Sequence, residues 1–214
     1  TVASGLLGGF ISSTAASITF SRMTRDAPRL ASAASLMILV ASTVVFARVV
    51  GEIAAVARDH LWELAPPLLA MMAGMAVIAA VLRMRVSQDL GVPAPDDPPS
   101  DLRSAVIFGA LYALVLVCVA FARRHFDSSG MYLVAAISGL TDMDAITLST
   151  TQLLKQQRID IETGWRMIII GALSNLVFKG AIAATMGNRQ LSRHVGVYLG
   201  LGIIGGACMI AFWP

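Results

Sequence analysis

Two carboxylates, Asp142 and Asp144, stand in the run Ser138-Gly139-Leu140-Thr141-Asp142-Met143-Asp144-Ala145-Ile146-Thr147-Leu148-Ser149, otherwise apolar enough to lie inside a bilayer. A carboxylate at membrane depth is costly and is normally aimed at a cavity, a counter-charge or an ion. Residues two apart sit roughly 200° apart around a helix, so both acids can serve one site only where the backbone is unwound. Gly139 permits such a break, and an interrupted membrane helix that turns carbonyls and side chains to one point is a recurrent ion-site geometry. Thr141, Thr147 and Ser149 add hydroxyl oxygens, and Asn175 and Lys179 share one helix face at i,i+4 spacing. Hard oxygen donors with no Cys or His at depth suit Mg, Ca or Mn ions, or Na ions and protons, with Asp142 and Asp144 as metal ligands; they weigh against a zinc or copper centre. A lysine beside two carboxylates neutralises an empty site and competes with a bound cation, which couples binding to charge movement. The plainer alternative is a structural ion pair joining two helices.

A second stretch has the same design. A shift of 130 residues lays Gly9 on Gly139, Ser12 on Asp142, Thr14 on Asp144, Ala15 on Ala145, Ser17 on Thr147, Thr19 on Ser149 and Ser21 on Thr151. Small, hydroxyl and apolar classes agree through most of the window, which reads as an internal duplication with the charges kept in one copy. Ser12, Ser13 and Thr14 are therefore the first copy's contribution to the ion site. A shift of 131 lays Arg48 on Lys179, so a cation at this depth recurs. Arg48 and Glu52, at i,i+4, are expected to form an intrahelical pair or to snorkel to the interface.

These residues require a membrane scaffold. The chain is 57% hydrophobic and 14% charged, with a mean hydropathy of +0.75, whereas soluble domains carry about 25% charged residues. The fold class is therefore all-α, a polytopic transmembrane helical bundle. Apolar runs near the roughly 20 residues a span needs occur at about 2–21, 33–57, 64–82, 104–122, 131–153, 165–186 and 195–213, giving seven spans. Residues 1–90 form the first repeat, the Pro- and Asp-rich stretch 91–102 a loop, and 103–214 a linking helix plus the second repeat, all in one membrane domain. Cys118 and Cys208 lie in apolar runs without metal-ligand spacing. The chain opens on Thr1 in a Gly-rich apolar segment, as a piece of a longer chain would. Net charge of +3 reflects loop arginines and gives no case for a nucleic-acid partner.

Loops after spans one, three and five carry Arg22, Arg25, Arg29, Arg83, Arg85, Arg103, Lys155, Arg158 and Arg166; the opposite loops carry Arg58, Arg123, Arg124, Arg189 and Arg193. The first set is expected to be cytoplasmic, with the C-terminus on that side of a bacterial inner membrane. Counting spans makes the two copies run parallel; an inverted pair requires a re-entrant motif segment.

Through Gly-Phe-Ile-Ser-Ser-Thr-Ala at 9–15, Arg48 with Glu52, the motif at 138–149 and Ser-Asn-Leu-Val-Phe-Lys-Gly at 174–180, the chain resembles the uncharacterised membrane domain that follows MgtC/SapB-type domains in bacterial proteins. That resemblance implies a link to magnesium homeostasis through an N-terminal partner domain and supplies no catalytic residues. The resulting expectation is a homo-oligomer, a dimer, that moves a small, Mg-like divalent cation. It is not an enzyme and has no cofactor beyond a bound divalent cation. One rival is a non-transporting membrane protein that regulates or scaffolds another complex. An intramembrane metal-dependent hydrolase is the weakest reading, since no nucleophile or histidine accompanies the aspartates.

Overall fold

The computed structural model describes residues 2–85 and 130–213, apart from the side chain of Ile11. Its helices are α1 (Val2–Asp26), α2 (Ala31–Val56), α3 (Leu61–Arg85), α4 (Met131–Thr141), α5 (Met143–Lys155), α6 (Ile161–Met186) and α7 (Arg189–Phe212), with 3-10 turns at Pro28–Leu30 and Arg58–His60. The apolar run 104–122, the loop 91–102 and Cys118 lie outside the described residues. α2, α3, α6 and α7 are long and apolar enough to cross a membrane, matching four of the seven expected spans. α2 is the centre of the packing, with 78% of its most apolar stretch buried against 39% for α3 and 22% for α7. Its Ala31, Ala33, Ala34 and Ala41 are fully buried, small side chains that let neighbours approach on several sides.

The other two expected spans do something different: they fold back. At Ser12 the α1 backbone is extended, with φ −163° and ψ 107°, and a methyl added to Gly8 would lie 2.8 Å from the Ala16 side chain. Eight residues of continuous helix would separate those positions by about 12 Å, so the two arms of α1 lie side by side. The outgoing arm runs with α2, Gly5 against Met37 and Val40 and Gly9 against Ala41 and Val44. α4 and α5 repeat the arrangement around Asp142, which has φ −143° and ψ 108°. Ala135 of one arm and Ile146 of the other both border Gly171 of α6. Each arm spans roughly 15–20 Å at 1.5 Å per residue, about half a bilayer.

Hydrogen bonds at the ends fix the directions. Arg25 Nη2 donates to the Thr185 carbonyl at 2.6 Å, and Asn188 Nδ2 donates to the Thr24 carbonyl at 2.9 Å. The end of α1 and the start of α2 therefore share a face with the end of α6. On the other face Lys155 Nζ donates to the Val56 carbonyl at 3.1 Å, joining the end of α5 to the end of α2. α2 and α6 thus run in opposite directions, and the two hairpins enter from opposite faces. The parallel arrangement expected from span counting fails because that count took both motif segments as complete crossings.

A labelling experiment separates the two topologies. Single cysteines at the exposed positions Asp26 and Gln157, in a background lacking Cys118 and Cys208, are expected to react with an impermeant maleimide from opposite sides of intact cells. Labelling of both from one side would restore the parallel arrangement.

Local caps hold the interfacial turns. Asp160 and Asn188 accept the Thr163 and Leu191 amides at 2.7 Å, starting α6 and α7. Hydrogen bonds from Thr163 hold the Asp160 carboxyl below its usual range. α5 ends in a Schellman turn, the Arg158 and Gln157 amides donating to the Leu153 and Leu154 carbonyls, with Gln157 at φ 54°.

Candidate functional site at the hairpin tips

α2 and α6 scarcely touch; α1 packs against both, and so does the α4–α5 hairpin. Four elements therefore form a ring, with the tips at Ser12 and Asp142 entering from opposite faces. Both tips are helix starts. Ser12 Oγ accepts the Ala15 amide at 3.2 Å, whereas Asp142 Oδ1 accepts the Asp144 amide at 2.9 Å and the Ala145 amide at 3.2 Å. Asp142 is thus the cap of α5, a position that satisfies otherwise orphaned amides and places negative charge at the positive end of the helix.

Asp144 takes the role that matters between the halves. Its Oδ1 accepts from Arg48 Nη2 at 2.5 Å and Nε at 3.1 Å, an ion pair joining α2 to α5. The i,i+4 contact from Arg48 to Glu52 is looser, at 3.8 Å. Glu52 stands beside Asp144 and within electrostatic reach of Asp142, and Arg48 pairs with two carboxylates, Asp144 and Glu52. The expected intrahelical pair of Arg48 with Glu52 is present, and Arg48 adds a shorter contact to another helix, at Asp144 of α5. A local spacing rule sees only neighbours four residues away, and Asp144 is 96 residues distant.

The remaining expected site residues divide. Asn175, buried, donates from Nδ2 to the Gly139 carbonyl at 3.0 Å and ties α6 to the last turn of α4. Thr141 ends α4 and is half-buried, as are Ser12 and Thr14. Thr147 is fully buried and donates to the Met143 carbonyl, while Ser13 is buried and its carbonyl accepts from Ser17 Oγ, both at 2.8 Å. Lys179 is 1% exposed. It was expected beside Asp142 and Asp144; instead Arg48 occupies that position, and among the described residues Lys179 makes no ion pair. Sequence reasoning left Arg48 and Glu52 out of the site, although the shift of 131 that aligns Arg48 with Lys179 already marked the first of them.

Among the described residues no three His, Cys, Asp or Glu side chains gather as a ready-made metal cluster. Asp142 Oδ1 is engaged by amides and Asp144 Oδ1 by Arg48. A cation entering here meets the guanidinium at Asp144 Oδ1, with the second oxygens of Asp144 and Asp142 and the Glu52 carboxylate as further donors.

No solved structure matches the chain. An uncharacterised protein from Aquifex aeolicus (strain VF5) is 27% identical over 192 residues, covering 89% of this chain and 84% of that protein. A family model described as a domain of unknown function, DUF4010, matches residues 1–187, a span that takes in both hairpins, Arg48, Asp144 and Lys179. The chain belongs to the DUF4010 family.

Proposed function

We propose that this protein carries a small inorganic cation across the membrane, and that Arg48 is an internal stand-in for that cation. The observation that supports this most directly is the Arg48–Asp144 pair, which links α2 to the broken second hairpin. A cation arriving at Asp144 displaces the guanidinium, and the freed interaction loosens one half of the ring from the other. Binding and rearrangement are then one event. Hard oxygen donors make a divalent, Mg-like ion the first candidate. The link to magnesium homeostasis and an MgtC/SapB-type partner domain belong to the same proposal and rest on the resemblance alone; a homodimer belongs to it as an expectation from the sequence.

An inverted internal repeat supports the reading, because such repeats supply the two alternating states of many transporters. α2 and α6 each have 26 residues and begin 130 positions apart. Gly9 packs on Ala41 and Gly139 on Gly171, again 130 apart in both members. The Arg25-to-Thr185 and Lys155-to-Val56 bonds are matching contacts at opposite faces. With re-entrant hairpins, Arg22, Arg25, Arg29, Arg83, Arg85, Arg189 and Arg193 gather on one face, and Arg58, Lys155, Arg158 and Arg166 on the other. The richer face is assigned to the cytoplasm of a bacterial plasma membrane. This reverses the expected cytoplasmic C-terminus, since α7 ends on the opposite face.

Thermal unfolding in detergent across Mg, Mn, Ca, Zn and Na tests the proposal. One cation at about 100 times its Kd is expected to stabilise the protein by about 2.7 kcal/mol. Asp144→Asn, alone and with Arg48→Met, is expected to abolish that response, while Asp160→Asn at the exposed cap keeps it. Identical ion responses in all of them, or none in the parent, would sink the transport reading and favour a scaffold role.

A further inference from the structure

Where the turn between α2 and α3 meets the end of α5 and the start of α6, the structure has a cleft of about 440 Å³, inside the range of about 300–1,000 Å³ for small-ligand sites. Leu154 and Ile159 give it apolar surface, and His60, Gln157, Arg158 and Asp160 add polar groups. Its place is the membrane interface. α2 and α3 are each long and apolar enough to cross a membrane, and the Arg58–His60 turn joins them. Lys155 Nζ ties the end of α5 to that turn through the Val56 carbonyl. Trp62, two residues beyond His60 and 84% exposed, sits where an interfacial aromatic belongs.

Several charges around the cleft are already matched. His60 Nδ1 lies 3.1 Å from Glu63 Oε2, and Arg166 Nη2 lies 2.6 Å from Glu162 Oε1. Arg158 and Asp160 are different: both are exposed, and among the described residues neither makes an ion pair, even with the other two positions away. Thr163 donates to Asp160, and the remaining lone pairs of a carboxylate can still accept. The cleft therefore presents one unmatched cation and one unmatched anion beside apolar surface. Gln157 adds a second sign of a built site. Its φ of 54° is the left-handed conformation that favours glycine at the end of a helix. Glycine would make the same turn without strain and without a side chain, whereas glutamine brings an amide donor and acceptor to the cleft.

We propose that this cleft binds the headgroup of a zwitterionic phospholipid in which a phosphate is joined to a primary ammonium, as in phosphatidylethanolamine. Arg158 takes the phosphate, the group its planar fork of donors fits best. Asp160 takes the ammonium, Gln157 bonds between them, and Leu154 and Ile159 meet the glycerol and first acyl carbons. A phosphatidylglycerol headgroup leaves Asp160 unmatched, and a choline headgroup has no N–H to donate to it. The inference stands apart from the transport proposal, since no residue of the hairpin tips takes part.

The test is the unfolding midpoint of the purified protein in detergent with added phosphatidylethanolamine, phosphatidylcholine or phosphatidylglycerol of one acyl composition. At about ten times its Kd, phosphatidylethanolamine is expected to raise the midpoint by about 3–6 °C, more than either other lipid. Arg158→Gln is expected to lose that shift. Asp160→Asn keeps the helix cap and is expected to answer to phosphatidylethanolamine and phosphatidylglycerol alike. Gln157→Gly is expected to raise the lipid-free midpoint, because the turn is no longer strained, and to show a smaller lipid shift than the parent. Glycerophosphoethanolamine, the same headgroup without acyl chains, is expected to give no shift at the same concentration. An equal shift from it would mark a site for a soluble zwitterion and overturn the lipid assignment. Equal shifts from all three lipids in the parent, or a phosphatidylethanolamine shift that survives in Arg158→Gln, would overturn the site itself.

Discussion

Gly139→Ala is expected to lower the unfolding midpoint more than any other single methyl addition to a helical glycine among the described residues. A Cβ at this position would overlap the Cα, carbonyl carbon and carbonyl oxygen of Gly171. Both partners are backbone, so no rotamer change relieves the overlap, and α4 must move away from α6. That movement also stretches the bond from Asn175 to the Gly139 carbonyl and shifts the cap at Asp142 that begins α5. Overpacking costs about 1–3 kcal/mol where side chains can give; here about 3 kcal/mol or more is expected. Gly180→Ala and Gly51→Ala provide the contrast, because nothing lies within 4 Å of an added methyl at either position. Relief of glycine's helix penalty should leave them neutral or stabilised by up to about 1 kcal/mol. Thermal unfolding and monodispersity in detergent measure all three. A Gly139→Ala protein as stable as the Gly180→Ala protein would mean that α4 does not contact α6 through this glycine.

What the sequence made legible follows from what hydropathy and spacing encode. Apolar length identified α2, α3, α6 and α7, since a span must cover the hydrocarbon with helix and little else. The same property misread α1 and α4–α5, because 25 apolar residues look alike whether they cross or turn back. The sign of the turn was present in the polar middle of each segment, at Ser12–Ser13 and Thr141–Asp142. Buried hydroxyls along the returning arms, Ser17 and Ser21 in α1 and Thr147 and Thr151 in α5, recur at the same shift of 130. Such rows suit a helix that packs between others better than one facing lipid. Direction could not be read this way: sequence spacing says which residues correspond and is silent on the face each hairpin enters. Charge pairing was illegible for a related reason. Lys179 was matched to the aspartates by composition, whereas α2 places Arg48 nearer to Asp144 than any residue of α6.

Removing either member of the Arg48–Asp144 pair should harm the protein more than removing both. Arg48→Met leaves Asp144 and Glu52 as neighbouring carboxylates without the cation that pairs with both, so repulsion adds to desolvation. Asp144→Asn leaves the guanidinium with Glu52 at 3.8 Å as its ion-pair partner. A fully buried pair costs about 3–5 kcal/mol to break from one side. With Arg48 25% and Asp144 41% exposed at the side chain, about 1–3 kcal/mol is expected here, with Arg48→Met the worse. The double variant Arg48→Met with Asp144→Asn should recover part of the loss, because no unmatched charge remains from this pair. The favourable coupling from that cycle is expected at about 1–2 kcal/mol, within the range for residues in direct contact. Unfolding midpoints of the parent, two single variants and the double variant close the cycle. Additive losses would show that the side chains act independently, and the displacement of Arg48 by an entering cation could then no longer drive the two halves apart.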